Sequence, residues 1–576
     1  MTQPAVEGAA ASGADIVGRH RRLVARTALI SGLTAASRVL GLVRELLSAL
    51  LFGDASPVYD AFVTAWRVPN LFRRLLGEGA VSTALQTRLT EVDGDRGDAA
   101  GARLFWDVLA LALGVALILC GGLIGLVLLM PDSMPGTGWA WLGPEPGALR
   151  ELLVRVLPYL VFICLAGLAG GGLAVRGRFL GASVSAAAMN LTAIATLVLI
   201  GVRFGWHGLG PEDGPEGFER HLEMARLYCW GLVLSGVAQL ATLLPDLRAS
   251  GLLARGVRTA ADAWGAARGV LLSSAPLALG AAVYQVNVMI DGFMAQYMLP
   301  QGGATTYYYA NRIQQLPLAL VATAATSAVF PALKALGHRG QGAEMRRLHD
   351  TTHLAIGFVA LPATLALIVL AGPICAVLLE HGAFSEAGTQ RTALGMQFLA
   401  LALVPAGASG LLSRTYFALG DFRTPVRISA GLLFLNLGLN LAFVRGLGMD
   451  IEGLTLSTAI VSWSNVALLV PGVLTRLPAP IDGPPFARRL ARMLLAASLC
   501  AGAAWGTQRL VGPDARSTLA LAAAVAVGLV VYFAAAAWLG LEEWHAIRSR
   551  GRSRMGRSKS ASEGLEDERP NPDDER

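Results

Sequence analysis

Five arginines lie in an otherwise largely apolar stretch near the start of the chain: Arg38, Arg44, Arg67, Arg73 and Arg74. A charged side chain at the centre of a membrane helix costs roughly 2.5–3.5 kcal/mol, so it is tolerated mainly where it faces protein or a water-filled cavity. Guanidinium groups bind phosphate through paired hydrogen bonds. Clustered arginines in such a segment therefore favour an anionic cargo that contains phosphate.

The second predicted helix carries its polar residues on one face. At 100° per residue they fall within a stripe about 80° wide, formed by Asp60, Arg67, Asn70, Arg74 and Glu78. The alternative to cargo binding is that these charges pair locally, as Arg74 and Glu78 could across one helical turn, and as Arg44 could with Glu45. The cations outnumber the acids in this region, which leaves Arg38 and Arg73 without obvious partners and available to an anion.

The composition is that of a polytopic membrane protein. Of the 576 residues, 54% are hydrophobic and 15% are charged, whereas about 25% are charged in soluble domains; the mean hydropathy is +0.54. Apolar windows predict an all-α fold with about fourteen transmembrane helices. The predicted spans are 28–52, 59–90, 104–131, 150–175, 181–203, 225–247, 269–299, 305–335, 352–377, 391–419, 426–445, 453–475, 488–508 and 517–541.

Basic residues occur in alternate loops, while loops 132–149 and 299–304 contain no Lys or Arg. This distribution predicts that both termini are cytoplasmic and that the net charge of +7 reflects membrane topology, without a nucleic-acid partner. The five cysteines lie in or beside apolar spans without paired spacing, so neither a disulfide framework nor a cysteine metal site is expected. Residues 1–27 are predicted to be a cytoplasmic N-terminal tail, and residues 549–576 a disordered cytoplasmic tail.

Two short echoes indicate an internal parallel repeat. Ala25-Arg26 precedes the first span as Ala267-Arg268 precedes the seventh, and Pro69 aligns with Pro317. Each echo lies six spans further on, so the two halves would share one orientation, as in transporters built from parallel repeats. We therefore predict an N-lobe at 28–250 and a C-lobe at 268–475, each a six-helix bundle, followed by two C-terminal helices at 486–541.

The same residues carry a resemblance to the MurJ (MviN) family of lipid II flippases, within the MATE-like multidrug/oligosaccharidyl-lipid/polysaccharide exporter superfamily. The motifs are Ser37-Arg38-Val-Leu-Gly, Arg44-Glu45, Asp60-Ala-Phe, Pro69-Asn70-Leu-Phe-Arg73-Arg74, Tyr308-Tyr-Ala-Asn311-Arg312 and Gly382-Ala-Phe384. The resemblance runs from about residue 28 to residue 541. It implies a fold of two six-helix bundles plus two C-terminal helices, in agreement with the count and repeat above.

The resemblance also implies which residues bind the cargo. The family's cavity arginines fall on Arg38, Arg44, Arg73 and Arg312, and its acid on Asp60. Other polar residues of the matching motifs complete the candidate substrate site: Ser37, Asn70, Arg74 and Glu78. An acid often flanks the second-half arginine in the family, but this chain has neutral residues, Asn311 and Gln315, at those places.

Four residues match the region in which family members can bind sodium: Asp291, Asn436, Asn440 and Thr458. The alternative is that the two asparagines form interhelical hydrogen bonds, as polar residues of membrane helices commonly do. Asp291 is the only evident anionic ligand in this set, so we expect a weak sodium site. No other cofactor is predicted.

The sequence thus predicts a flippase that moves lipid II across the cytoplasmic membrane by alternating access. No Walker loop, catalytic Cys–His set or dinucleotide fingerprint is present, so an enzyme is not expected. Its expected partners are the lipid-linked precursor, membrane lipids and cell-wall synthesis proteins. Two alternatives remain. The first is a MATE-like or polysaccharide-lipid exporter of another cargo; an exporter of cationic drugs would be expected to carry acidic residues in its cavity, where this chain has an excess of arginine. The second is a non-transporting membrane scaffold.

Overall fold

The computed structural model describes residues 13–74, 80–129, 146–206, 214–253, 260–477, 485–512, 516–545 and 548. Every regular element in these ranges is helical, which confirms the all-α class. Glu78 and residues 1–12 and 549–576 lie outside the described ranges, so the predictions made for them stay predictions. Residues 13–27 of the predicted N-terminal tail are helical and continue directly into the first span.

Seventeen α-helices follow one another along the described chain. They are α1 (Gly13–Phe52), α2 (Pro57–Phe72), α3 (Ala80–Arg96), α4 (Asp98–Leu128), α5 (Pro146–Val156), α6 (Tyr159–Val175), α7 (Leu180–Phe204), α8 (Gly214–Ala249), α9 (Ala260–Met298), α10 (Gly303–His338), α11 (Gly342–Leu379), α12 (Glu386–Ala400), α13 (Leu403–Ala418), α14 (Arg423–Asn440), α15 (Ile451–Arg476), α16 (Pro485–Val511) and α17 (Thr518–Trp538). A π-helical segment, Leu441–Gly446, extends α14.

Two predicted spans are interrupted: the span at 150–175 is divided into α5 and α6, and the span at 391–419 into α12 and α13. The span at 59–90 contains α2 and most of α3, and residues 75–79 between them lie outside the described ranges. Pro158 lies at the first of the two interruptions, where it cannot donate a backbone hydrogen bond. An apolar window of about 19 residues averages over such breaks, which explains why hydropathy alone did not show them.

Ten helices or helix pairs in the described residues are long and apolar enough to cross a membrane. They coincide with ten of the predicted spans and establish a multi-pass membrane protein. The other four predicted spans coincide with α1, α2–α3, α9 and α10, which fall outside that set. Arginines lower the hydropathy of α1, and α2 and α3, with 16 and 17 residues, are each too short to cross a membrane alone.

The chain divides into two compact units. The first contains Met1–Tyr297 together with His381–Phe384, and the second contains Met298–Glu380 and Ser385–Arg576. α9 up to Tyr297 therefore clusters with the first unit. The lobe limits predicted from the repeat stay predictions.

Each unit has its own apolar core. In the first, buried residues of α3, α4, α6 and α8 pack together, among them Leu85, Phe105 and Leu168. In the second, the C-terminal helices α16 and α17 pack on α11, where Met493 and Tyr532 meet Phe358. The polar residues of α1 and α2 are positioned by hydrogen bonds and ion pairs in addition to this apolar packing.

A short loop, His381–Phe384, docks on the end of α1 within the first unit. The Ala383 amide donates to the Leu50 carbonyl at 3.0 Å. Gly53 and Gly382 both have positive φ, and a Cβ on Gly382 would lie 2.6 Å from the Leu50 carbonyl oxygen. Only glycine permits both this backbone conformation and this close approach, which accounts for the glycine of the Gly-Ala-Phe motif.

Candidate functional site

Arg38 is the most accessible of the candidate arginines on α1. Its side chain is exposed, and no hydrogen bond or ion pair to it is found in the described part of the chain. The preceding residue, Ser37, is buried, and Asn190 of α7 donates to its carbonyl oxygen at 3.0 Å. α7 therefore fixes α1 next to Arg38 while leaving the guanidinium accessible.

Arg44 has a different environment. Its side chain is 7% exposed and forms an ion pair with Glu45, whose side chain is 6% exposed. The guanidinium also approaches the Met189 sulfur at 3.6 Å. The local pairing considered for Arg44 in the sequence is present, so most of its charge is balanced within α1 in this conformation.

Asp60 lies in the first turn of α2. The helix begins with Ser56 as N-cap, whose hydroxyl accepts from the Tyr59 amide at 3.2 Å, followed by Pro57. Ser56 also lies 2.8 Å from Nδ1 of His221, which ties this end of α2 to α8. The Asp60 side chain is buried, where the helix dipole stabilises a carboxylate.

α2 changes geometry beyond Pro69. The α-helix ends at Phe72, and Arg73 and Arg74 continue it with π-helical geometry. Pro69 lacks an amide hydrogen and so removes one backbone hydrogen bond of the helix. A π turn contains one more residue than an α turn, so the side chains from Arg73 onward are rotated relative to an ideal α-helix. The helical wheel that placed Arg73 off the polar stripe therefore does not apply there. Arg73 Nε donates to the Asn70 side-chain oxygen at 3.1 Å, which orients its guanidinium.

Arg67 and Arg74 both contact α9. Arg74 donates to the Gln285 side-chain oxygen at 3.1 Å. The Arg67 guanidinium covers Gly292, where an added Cβ would lie 2.3 Å from its Cζ atom. Thr64 donates to the Gln296 side-chain oxygen at 3.0 Å. Gln285 is not among the site residues predicted from the sequence, because local spacing does not reveal a partner on a distant helix.

The second unit contains Arg312, on α10. Its side chain is half-buried. The two neutral residues that depart from the family pattern bond to each other, since the Gln315 side-chain amide donates to the Asn311 side-chain oxygen across one helical turn. The pair supplies no negative charge beside Arg312.

The asparagines of the predicted sodium region are fully buried on α14. The Ser457 hydroxyl of α15 donates to the Asn436 side-chain oxygen at 3.2 Å and also contacts that of Asn440. Thr458 instead bonds back to the Leu454 carbonyl at 3.0 Å. Interhelical hydrogen bonding by the asparagines is therefore present, and Ser457 is a residue that the sequence interpretation missed.

These oxygens are of the type that a hard cation prefers. Asn436, Asn440 and Ser457 bring three neutral oxygens together, and Asp291, the predicted anionic ligand, lies buried on α9 in the first unit. No group of three or more His, Cys, Asp or Glu side chains suited to a metal occurs among the described residues. The cluster of Asn436, Asn440 and Ser457 therefore consists of neutral oxygens only.

Comparisons with known proteins agree on one family. The family model described as "Lipid II flippase MurJ" matches residues 48–534. A probable lipid II flippase MurJ of Bdellovibrio bacteriovorus is 27% identical over 92% of this chain and 97% of its own length. The lipid II flippase MurJ of Burkholderia cenocepacia is 30% identical over 78% of this chain and 83% of its own.

Solved structures show the same fold. A lipid II flippase MurJ in an inward closed conformation matches with a TM-score of 0.67 at 19% identity, covering 88% of this chain and 98% of that one. An inward-facing multidrug-resistance transporter of the MATE family matches with a TM-score of 0.58 at 14% identity, covering 79% of this chain and 95% of that one. At these identities the likeness concerns architecture alone.

Proposed function

Because the chain belongs to the MurJ family and is a lipid II flippase, we propose that the arginines of α1 and α2 bind the diphosphate of its cargo. The head group would bind here, while the lipid tail remains in the bilayer. The two units would alternate access to either side of the membrane, with no covalent bond made or broken. A transporter of this kind is not an enzyme.

The accessibility of Arg38 carries this proposal. An exposed guanidinium within a predicted membrane span, without a protein partner in the described residues, is costly unless it is hydrated or bound to an anion. Low local dielectric strengthens a guanidinium–phosphate contact relative to water. Arg73, held by Asn70, is the proposed second ligand in the same unit.

Arg44 and Arg312 have distinct proposed roles. Arg44 is paired with Glu45 in this conformation. We propose that it contributes to the positive electrostatic potential at the site and exchanges Glu45 for the diphosphate during the transport cycle. Arg312 belongs to the second unit, and its proposed role is to complete the site in one state. Asp60 is proposed to balance charge at the start of α2.

Sodium coupling is proposed to be weak. The support is the neutral donor set of Asn436, Asn440 and Ser457. A carboxylate strengthens binding of a hard cation, and these three residues supply none. We therefore propose that membrane potential drives transport more than the sodium gradient does.

Location and partners extend the proposal. Ten apolar helices establish a multi-pass membrane protein. We propose that it resides in the cytoplasmic membrane with both termini cytoplasmic, on the basis of the loop charges. Cell-wall synthesis proteins are the proposed protein partners, and residues 549–576 are the proposed place of contact.

Replacing the two proposed diphosphate ligands of the first unit, Arg38 and Arg73, tests the main proposal. Arg38→Ala and Arg73→Ala should abolish complementation of a strain depleted of its flippase and weaken lipid II binding, while membrane levels stay normal. Arg→Lys should restore function only partly, because the bidentate geometry is lost. Arg88→Ala, at an exposed surface ion pair with Glu91, is the matched control and should behave as wild type. Full activity and binding in both alanine variants would overturn the proposal.

A further inference from the structure

α2 and α9 are joined by two side-chain hydrogen bonds and, between them, one close steric contact, which follow one another in register. Thr64 meets Gln296, Arg67 covers Gly292, and Arg74 meets Gln285. As residue numbers rise along α2, those of the partners fall along α9, so the helices run antiparallel at these contacts. We call these six residues the α2–α9 seam.

The seam spans a considerable length of both helices. Thr64 and Arg74 are ten residues apart, which is about 15 Å along a helix. Its Thr64–Gln296 end is buried and its Arg74–Gln285 end is partly buried. In an apolar surrounding, separating such groups would leave them unsatisfied, which makes the contact costly to break during transport.

The close contact between Arg67 and α9 requires a residue without a side chain at Gly292. A side chain there would collide with the Arg67 guanidinium, since a Cβ would lie 2.3 Å from Cζ and from one terminal nitrogen. Gly265 and Gly269 on the same helix have no neighbouring atom within 4 Å of an added Cβ. The close approach is therefore particular to the position that Arg67 covers.

We infer that Arg67 and Arg74 are positioning residues that hold α9 on α2 throughout the transport cycle, so that α9 moves with the first unit. This inference rests on the proposed function, because it leaves the diphosphate to Arg38 and Arg73. It divides the arginines of α2 by role: Arg73 is oriented by its own helix, whereas Arg67 and Arg74 are engaged by another. The predicted repeat had instead assigned α9 to the C-lobe.

A crosslink tests whether the seam stays closed. Thr64→Cys with Gln296→Cys, joined by a short bifunctional thiol reagent, should retain lipid II flipping in proteoliposomes to within about twofold of the unlinked protein, because closed contacts do not separate. The parent protein treated with the same reagent is the control, because it carries the five native cysteines and neither of the introduced ones. Mass spectrometry of the treated variant gives the fraction that is crosslinked between positions 64 and 296. Loss of flipping on crosslinking, restored when a cleavable linker is cut, would overturn the inference.

Substitutions along the seam test the positioning role. Gln285→Leu removes one charge-assisted hydrogen bond and should lower the flipping rate about tenfold, while lipid II binding in native mass spectrometry stays near wild type. Gly292→Ala, whose methyl group would displace the Arg67 guanidinium, should also lower the flipping rate without loss of binding. Gln285→Glu keeps an acceptor oxygen for Arg74 and should retain flipping. Gly269→Ala is the matched control on α9 and should be unchanged.

The outcomes separate this inference from the proposed function. If Gly292→Ala and Gln285→Leu bind lipid II as weakly as Arg38→Ala does, then the seam belongs to the cargo site and the inference is wrong. If both variants flip at the wild-type rate, positioning by the seam is refuted while cargo binding by Arg38 stands. If Arg38→Ala and Arg73→Ala retain binding and the seam variants still lose flipping, the proposed site fails while the coupling of α9 to α2 survives.

Discussion

The buried ion pair of α1 allows stability and transport to be separated in one set of variants. Arg44 and Glu45 pair with side chains 7% and 6% exposed, respectively. Three variants of the same protein complete a cycle: Arg44→Met, Glu45→Leu and the double substitution. Each single change removes one charge and leaves its buried partner, whereas the double change replaces both with apolar side chains.

The burial of the pair sets the expected size of the effect. Removing one partner of a buried ion pair typically costs about 3–5 kcal/mol, because an uncompensated charge remains inside the protein. Replacing both partners by apolar groups is often neutral or stabilising. The double variant should therefore be more stable than either single one, with a coupling energy of at least about 2 kcal/mol.

The ranking of the three variants in transport activity should differ from their ranking in stability. The double variant lacks the Arg44 cation, so it should fold but fail to support growth of a strain depleted of its flippase. Unfolding of the purified protein can be followed by tryptophan fluorescence, since the chain contains eleven tryptophans. Membrane abundance, measured in the same strains, separates loss of protein from loss of transport.

Two results would refute this reasoning. A double variant as unstable as the singles would show that the two charges are held independently by other neighbours. A stable double variant that supports growth fully would show that the Arg44 cation has no part in transport, and that the pair serves the packing of α1 alone.

Three further predictions concern the second unit. Asn440→Asp should tighten sodium binding and make flipping more dependent on sodium when sodium and potential are varied independently in proteoliposomes; a steep sodium dependence of the unaltered protein would contradict the weak-site proposal. Arg312→Ala should reduce turnover more than lipid II binding in native mass spectrometry, and equal losses in Arg312→Ala and Arg38→Ala would contradict that role. Burial raises the pKa of Asp421, but hydrogen bonds from Thr424 and Arg476 outweigh it and lower the pKa from 3.8 to about 2. The carboxylate should therefore contribute about 2 kcal/mol above pH 4 and lose it as the pH falls towards 2, so the melting-temperature deficit of Asp421→Asn should shrink at low pH; a constant deficit would refute it.

The helices were predictable from sequence because a membrane segment must be both apolar and hydrogen-bonded within itself. The positions where helices break were less accessible. The sequence predicted one span at 59–90 that runs through Pro69, whereas α2 ends at Phe72, and the π-helical geometry at Arg73 and Arg74 depends on how the backbone is accommodated after the proline. A helical wheel assumes constant rotation per residue and fails at such a place.

The site was predictable in its charges and not in its contacts. The Arg44–Glu45 pair joins neighbours in sequence and was anticipated. Arg74 and Gln285 are 211 residues apart, and hydropathy and local spacing carry no information about which polar groups meet over such a separation. Ser457 was missed for the same reason. Its partners lie on α14, and within α15 its position does not distinguish it from the other polar residues of that helix.

The arginines of the first unit thus occupy different environments. Arg38 is exposed, Arg44 is neutralised by its neighbour, and Arg74 is engaged by α9. A count of cations identifies an anionic cargo but overstates how many of them can bind it at once. Because each engaged arginine must first give up its protein partner to reach a phosphate, affinity for the diphosphate should depend most on Arg38. Arg44 would contribute where the conformational cycle releases it from Glu45, whereas Arg74 stays on α9, so a loss of binding and a loss of turnover should map to different arginines.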